Sequence, residues 1–222
     1  MALKGQVTLY SMHLNIVDLQ VVVGGLQCAA KVPTLHCNLA NEPDPILSVR
    51  RHLKECQLMS RLGEHKNIVK FIGVCFLSNS KVPALVIEKV SGPGTLHRFL
   101  KNQGLANGTI ELSVKRHILQ GVANGMHYLH FESNLAVVHM DLKASVVLLT
   151  SSYDAKITGF RKSCTVHDDI KASDSRYDPV YMPPEVIGDT DVRCSPSMDI
   201  YSFGVVSLFT LTQVRTLPSH QF

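Results

Sequence analysis

The stretch from Ile200 to Leu211 is apolar nearly all round at helical spacing, and Ser195-Pro196 opens it as a cap and first-turn pair. A helix of that kind wants cover on every side, so the rest of the chain has to build a substantial apolar layer around it. Ser202, Ser207 and Thr210 interrupt the run, which is shorter than the ~20 residues a membrane span needs. It therefore reads as a core helix. At 222 residues the chain is long enough for one large domain or two small lobes.

The opposite end is strand-like. Val7/Leu9, then Ile16-Val17 and Leu19 to Val23, then Leu26 to Val32 are strand-like, and Gly24-Gly25 reads as a hairpin turn because glycine accepts a positive φ. Asn41 to Pro45 breaks the pattern, with Asp44 as N-cap and Pro45 at the first helical position of a helix to about Leu62. Glu55 shares a face of that helix with Met59 and Leu62. Ile68 to Phe76 and Ala84 to Ile87 are two further strands with a turn at 78–81, and Ser91-Gly92-Pro93-Gly94 is a loop. Leu96 to Asn102 is a short helix. Leu112 to His130 is a long one, with Val114, Ile118, Val122 and Met126 on one face. His127 and His130 have ligand-like spacing but no third ligand nearby, so they read as packing or surface groups.

The net charge of +4 comes from dispersed Lys and Arg, which argues against nucleic acid and anionic lipid as partners. Six scattered cysteines include no C-x-x-C pair, so neither a zinc site nor a disulfide framework is expected, and reduced thiols in a cytoplasmic protein fit best. The N-terminus lacks the pattern of a signal peptide.

Between the long helix and the apolar one lies Val138-His139-Met140-Asp141-Leu142-Lys143-Ala144-Ser145-Val146, followed by a short apolar strand. This resembles the His-Arg-Asp-Leu-Lys-x-x-Asn catalytic loop of protein kinases. Other motifs fall in the order of that family. Ala29 and Lys31 match its Val-Ala-x-Lys strand, Glu55 its helix-C glutamate, and His65-Lys66-Asn67-Ile68-Val69 the run into its next strand. Ile87, Glu88 and Val90 match its gatekeeper and hinge. Tyr181-Met182-Pro183-Pro184-Glu185 is similar to its Tyr-Met-Ala-Pro-Glu, and Asp199 to Val206 to its Asp-Val-Tyr-Ser-Phe-Gly-Val-Val helix.

The resemblance implies an α+β, bilobal fold: a small antiparallel β-sheet lobe with helix C over residues 1–87, a hinge at 88–94, and a helical lobe from 95. The helical lobe looks truncated near residue 212, before the helices that cover the apolar helix in kinases. It also implies roles. Asp141 would accept the proton of the hydroxyl being phosphorylated and Lys143 would contact phosphate. Lys31, paired with Glu55, would hold the phosphates of ATP, and backbone groups of Glu88 and Val90 would meet its adenine beside Ala29 and Ile87. Asp199 would hydrogen-bond the catalytic-loop backbone. Thr165, Ser173, Ser175 and Tyr177 lie where an activation loop would carry phosphate, and Leu142-Lys143 suits Ser/Thr or tyrosine-kinase-like members.

Departures from the pattern are equally specific. Met140 stands for the loop Arg, Val146 for the magnesium-binding Asn, Gly159 for the magnesium-binding Asp of Asp-Phe-Gly, and Arg161 for its Gly, with Phe160 in register. No glycine occurs in Leu9 to Leu14, where the phosphate-cradling loop should lie. The expectation is a pseudokinase-like signalling domain that works with protein partners, binds ATP weakly and has lost its magnesium site. A divergent active Ser/Thr kinase drawing on Asp154, Asp168 or Asp169 is the alternative, and a fragment without function the bland third. Oligomeric state stays open.

Overall fold

The computed structural model describes residues 7–13, 16–33, 45–76, 80–105, 108–166, 169–171, 178–184 and 191–213. The chain divides into two compact units: Met1–Glu64 with Val69–Lys89, and His65–Ile68 with Val90–Phe222.

Among the described residues the first unit is a five-stranded antiparallel sheet with one helix. β1 (Val7–His13), β2 (Ile16–Val23), β3 (Leu26–Pro33), β4 (Phe71–Cys75) and β5 (Ala84–Glu88) lie in the order β1-β2-β3-β5-β4. Gly24 and Gly25, at φ 56° and 85°, make the expected turn between β2 and β3. Alternation along β3 buries Cys28 and Ala30 and leaves Ala29 and Lys31 half-buried on the other face. The buried side joins Val21, Cys75, Ala84 and Val86 in one apolar cluster. Helix α1 (Pro45–Arg61) packs on β3 and β4. Asp44 and Glu185, read above as a cap and as part of a loop-closing motif, lie outside the described residues.

Two strand expectations are corrected. Leu9 to His13 is strand, paired with β2 around a bulge between Leu9 and Ser11, rather than a loop. The strand expected from Ile68 begins only at Phe71, because the preceding residues are drawn into the second unit. There the Ile157 amide donates to Asn67 O at 2.8 Å, Asn67 Nδ2 donates to Ala155 O at 2.8 Å, and Ile68 bridges Ile157.

The second unit holds α2 (Leu96–Leu105), α3 (Leu112–His127) and α4 (Pro196–Thr212). Its short strands are β6 (Gly94–Thr95), β7 (Val137–Val138), β8 (Val147–Leu149), β9 (Ala155–Ile157), β10 (Cys164–Thr165), β11 (Asp169–Lys171) and β12 (Asp191–Arg193). They pair as β6-β8-β9, β7-β10 and β11-β12. α3 packs on β9 and on α4. Gly125 permits the first approach, since a Cβ there would stand 2.9 Å from Ile157 Cδ1 and 3.0 Å from Asn67 O. The helix expected to reach His130 changes at Tyr128 to one wider turn, Tyr128–Glu132.

Ser195 Oγ accepts from the Ser197 amide and Pro196 starts α4, as expected. Met198, Asp199, Ser202, Val206 and Thr210 face inward, while Ile200, Leu208 and Leu211 stay exposed among the described residues. Lys115 Nζ donates to Leu211 O at 2.8 Å and supplies a cation at the helix's C-terminal end. No helix among the described residues is long and apolar enough to cross a membrane.

The reading of all cysteines as reduced thiols needs correction. Cys164 and Cys194 are joined by a disulfide, with Cα atoms 6.8 Å apart. Val138, Met140 and Met198 pack around it. Cys28, Cys56 and Cys75 are buried thiols. Burial, then the neighbouring Glu55 carboxylate, pushes Cys56 up to about 12.

Candidate functional site

In the second unit the loop after β7 is held from beneath by Asp199. This carboxylate is fully buried and accepts from the His139 amide at 2.7 Å, the Met140 amide at 3.0 Å and His130 Nε2 at 2.8 Å. The expected bond from Asp199 to the loop backbone is therefore present. His130 is a further donor that helix spacing alone could not assign.

His139 is fully buried too. Its Nε2 donates to Thr158 O at 2.9 Å, its Nδ1 accepts from the Asp141 amide at 3.3 Å, and its ring lies 5.1 Å from that of Phe160. A carbonyl can only accept and an amide N–H only donate, which fixes the tautomer. Met140, at φ 65°, puts its side chain into the disulfide cluster where the family pattern has a charged Arg.

Anchored this way, Asp141 holds its carboxylate half-buried. Oδ1 lies 3.3 Å from Lys143 Nζ and 3.1 Å from Lys162 Nζ. Lys143, expected to contact phosphate, lies with its ammonium beside this carboxylate. Lys162 was not singled out by the sequence; the signal available was a second cation shortly after Phe160. Its backbone is set by a 3-10 turn over Phe160–Lys162 and by Ser163 Oγ, which donates to His139 O at 3.0 Å.

Val146 and Gly159, the two positions where the family pattern has metal ligands, are neighbours. The Thr158 amide donates to Val146 O at 2.9 Å, and a Cβ at Gly159 would lie 3.0 Å from Val146 Cγ1. Gly159 sits at φ 88°, and Phe160, next in the chain, is fully buried.

Of the carboxylates offered as substitutes, Asp154 is engaged elsewhere. Asp154, beside the β8–β9 turn, bonds His117 Nε2 at 2.9 Å and Thr150 Oγ1 at 3.1 Å. The His117 bond, above all, holds it below the usual carboxylate range. Asp169 lies on β11 opposite Arg193, and Asp168 is outside the described residues. No group of three or more His, Cys, Asp or Glu that could hold a metal occurs among the described residues.

The remaining candidates, Val90 apart, sit in the first unit. Ala29 and Ile87 are direct cross-strand partners, and Lys31 pairs with Leu85. Ile87 is 2% exposed and Glu55, on α1, is 1% exposed. The Glu88 amide donates to Lys70 O at 2.9 Å and its Oε1 accepts from the Lys70 amide at 2.8 Å. The Glu88 N–H is thus engaged by Lys70 O, while its carbonyl is a separate backbone acceptor. Val90, half-buried, begins the longer segment of the second unit.

Of the expected phosphate-bearing residues, Thr165 is half-buried on β10 opposite Val137; Ser173, Ser175 and Tyr177 lie outside the described residues. Tyr181 packs its ring 6.0 Å from that of Phe209, and burial raises its hydroxyl above the usual tyrosine value.

A helix-braced antiparallel sheet, and a helical unit whose Asp-x-Lys loop hangs from a buried aspartate, define a protein kinase fold. The protein kinase domain family model matches residues 28–221, and the chain belongs to that family. Its members generally bind ATP and magnesium. The chain is 31% identical over 169 residues to the brassinosteroid LRR receptor kinase BRL3 of Oryza sativa subsp. japonica, covering 74% of this chain and 14% of that protein. It is 34% identical over 157 residues to cysteine-rich receptor-like protein kinase 36 of Arabidopsis thaliana, covering 69% and 23%. To the receptor-like serine/threonine-protein kinase ALE2 of Arabidopsis thaliana it is 32% identical over 176 residues, covering 78% and 22%. These matches span less than a quarter of each relative's length.

Proposed function

We propose that this kinase-family domain is impaired in phosphoryl transfer and acts in signalling through protein interactions that nucleotide modulates. The observation that carries the reading is that Val146 and Gly159 adjoin, so that a Cβ at Gly159 would fall 3.0 Å from Val146 Cγ1. Magnesium takes oxygen ligands in near-octahedral geometry. Here the two neighbouring positions offer hydrocarbon and a bare Cα, so these residues do not fit the ion. Losing one electrostatic donor typically costs roughly 10²–10³ in rate. Two losses would remove on the order of 10⁴ or more if they acted independently, which groups sharing a site rarely do.

The rest of the architecture is kept. Asp199 still suspends the loop and Asp141 still lies beside Lys143. Ala29, Lys31, Glu55, Ile87, Glu88 and Val90 are the residues that would hold ATP weakly. The reading places the domain in the cytoplasm, with a protein as its partner.

A thermal-shift titration with ATP, with and without magnesium, alongside transfer of radiolabelled phosphate to protein substrates, tests it. Robust magnesium-dependent transfer abolished by Asp141→Asn would overturn it. That result would favour the second reading, a divergent active Ser/Thr kinase, for which the retained Asp141–Lys143 pair is the supporting observation.

A further inference from the structure

Five sulfur-bearing side chains meet in one place in the second unit. Met140, Cys164, Cys194 and Met198 are each 3–4% exposed and form a buried cluster with Val138, and Met182 packs against it half-buried. They come from four separate stretches of chain, and each stretch is held in its own way. The Met140 amide donates to Asp199, Cys164 pairs with Val138 across β7 and β10, and Tyr181 O, next to Met182, accepts from Ser202 Oγ at 2.9 Å. Cys194 directly precedes Ser195, the N-cap of α4, and Met198 lies in the first turn of that helix.

The Cys164–Cys194 bond persists only where conditions are oxidising; in a reducing compartment the cluster holds two thiols and three thioethers. Thiolate and thioether sulfur are soft donors that select Cu(I). Zinc takes Cys, His and carboxylate ligands, and this cluster would offer it only the two cysteines.

We propose that the reduced Cys164–Cys194 pair, with the thioethers of Met140, Met182 and Met198 around it, is a Cu(I) site in which the ion ties β10 to the start of α4 in place of the disulfide. This goes beyond the signalling reading above and does not depend on it. Thiol–disulfide exchange with a small dithiol supplies the two electrons and two protons that open the bond, and leaves the dithiol oxidised to its own disulfide. Cu(I) then displaces both thiol protons to solvent. The copper keeps its oxidation state, and the bis-thiolate complex carries one negative charge, which the N-terminus of α4 beside Cys194 favours.

The test is anaerobic titration of the full chain with Cu(I) against the chromophoric chelator bicinchoninate, once with the disulfide intact and once after reduction with dithiothreitol and desalting. Cys28, Cys56 and Cys75 are thiols in both forms, so the difference reports on Cys164 and Cys194. The reduced chain should take up one more Cu(I) than the oxidised chain, and X-ray absorption of that copper should show sulfur neighbours only. Cys194→Ser should weaken the extra site about a hundredfold. Met140→Leu and Met182→Leu, which nearly conserve volume, should together weaken it about tenfold. Equal uptake by the two forms, wild-type affinity in Cys194→Ser or in the double methionine variant, or nitrogen and oxygen neighbours in place of sulfur would each overturn the proposal. Should Cys194→Ser fail to fold, the comparison of the reduced and oxidised natural chain still decides it.

Discussion

Val146 and Gly159 are 13 residues apart in sequence, yet a Cβ at Gly159 would stand 3.0 Å from Val146 Cγ1. Neither position can be restored alone without affecting the other. Gly159→Asp by itself should lower stability by about 1–3 kcal/mol, because a non-glycine residue is strained at φ 88° and its Cβ presses on the valine methyl. With Val146→Asn as well, the loss should be smaller than the sum of the two single changes. Urea denaturation of all four proteins gives that coupling. The double variant should also gain a magnesium-dependent thermal shift with ATP. The same shift in the natural protein would mean the vacated ligands do not matter.

Asp199 is the acceptor for three buried donors. Asp199→Ala strands all of them and should cost about 3–5 kcal/mol, by the rule that breaking a buried charged network is expensive. Asp199→Asn, which keeps one oxygen, should lose less. Equilibrium unfolding compares the two. A surface-like loss of under about 0.5 kcal/mol for the alanine variant would show that the loop is held by something else.

The Cys164–Cys194 disulfide closes a segment with a sequence separation of 30. In the chain-entropy model such a link is worth on the order of 3 kcal/mol, through the unfolded state. Alkylation in denaturant without reductant should label Cys28, Cys56 and Cys75 but spare Cys164 and Cys194. Reductant, or Cys164→Ser, should lower the unfolding midpoint. Full labelling of both residues before reduction would show that the link does not form.

His65 stacks on Tyr128 with centroids 4.7 Å apart, and its Nδ1 accepts from the Asn67 amide at 3.2 Å. Burial is the main cause that lowers its folded pKa below the ordinary histidine value of ~6.5. The folded state then binds fewer protons than the unfolded chain. The stabilisation is complete above ~6.5 and is lost as the pH falls from there toward the lower folded value. Chemical denaturation midpoints should fall between about pH 7 and 5, more steeply than in His65→Phe. Equal slopes would remove His65 from the account.

Much of the architecture was legible from local pattern. Cys28 and Ala30 alternate with Ala29 and Lys31 along one strand, Ser195-Pro196 starts the last helix, and Gly24-Gly25 turns the hairpin; each depends on residues a few positions apart. The order of the kinase motifs, and the absence of donors at residues 146 and 159, could likewise be read from the sequence. Boundaries set by distant contacts were not. Asn67 and Ile68 leave the strand pattern because Ala155 and Ile157 bind them, and nothing near residue 67 announces that.

The sequence by itself determined the family, the main helices, most of the first unit's strands and which side chains stand at the motif positions, because side-chain identity and short-range periodicity are written along the chain. Only the tertiary structure decided which groups meet. Lys162 reaches Asp141 across 21 positions, Cys194 reaches Cys164 across 30, and Asp199 reaches His130 across 69. Those contacts exist because the turn at Gly159 and the packing of α4 close long loops, and the approach of two distant residues follows from the whole fold rather than from either neighbourhood.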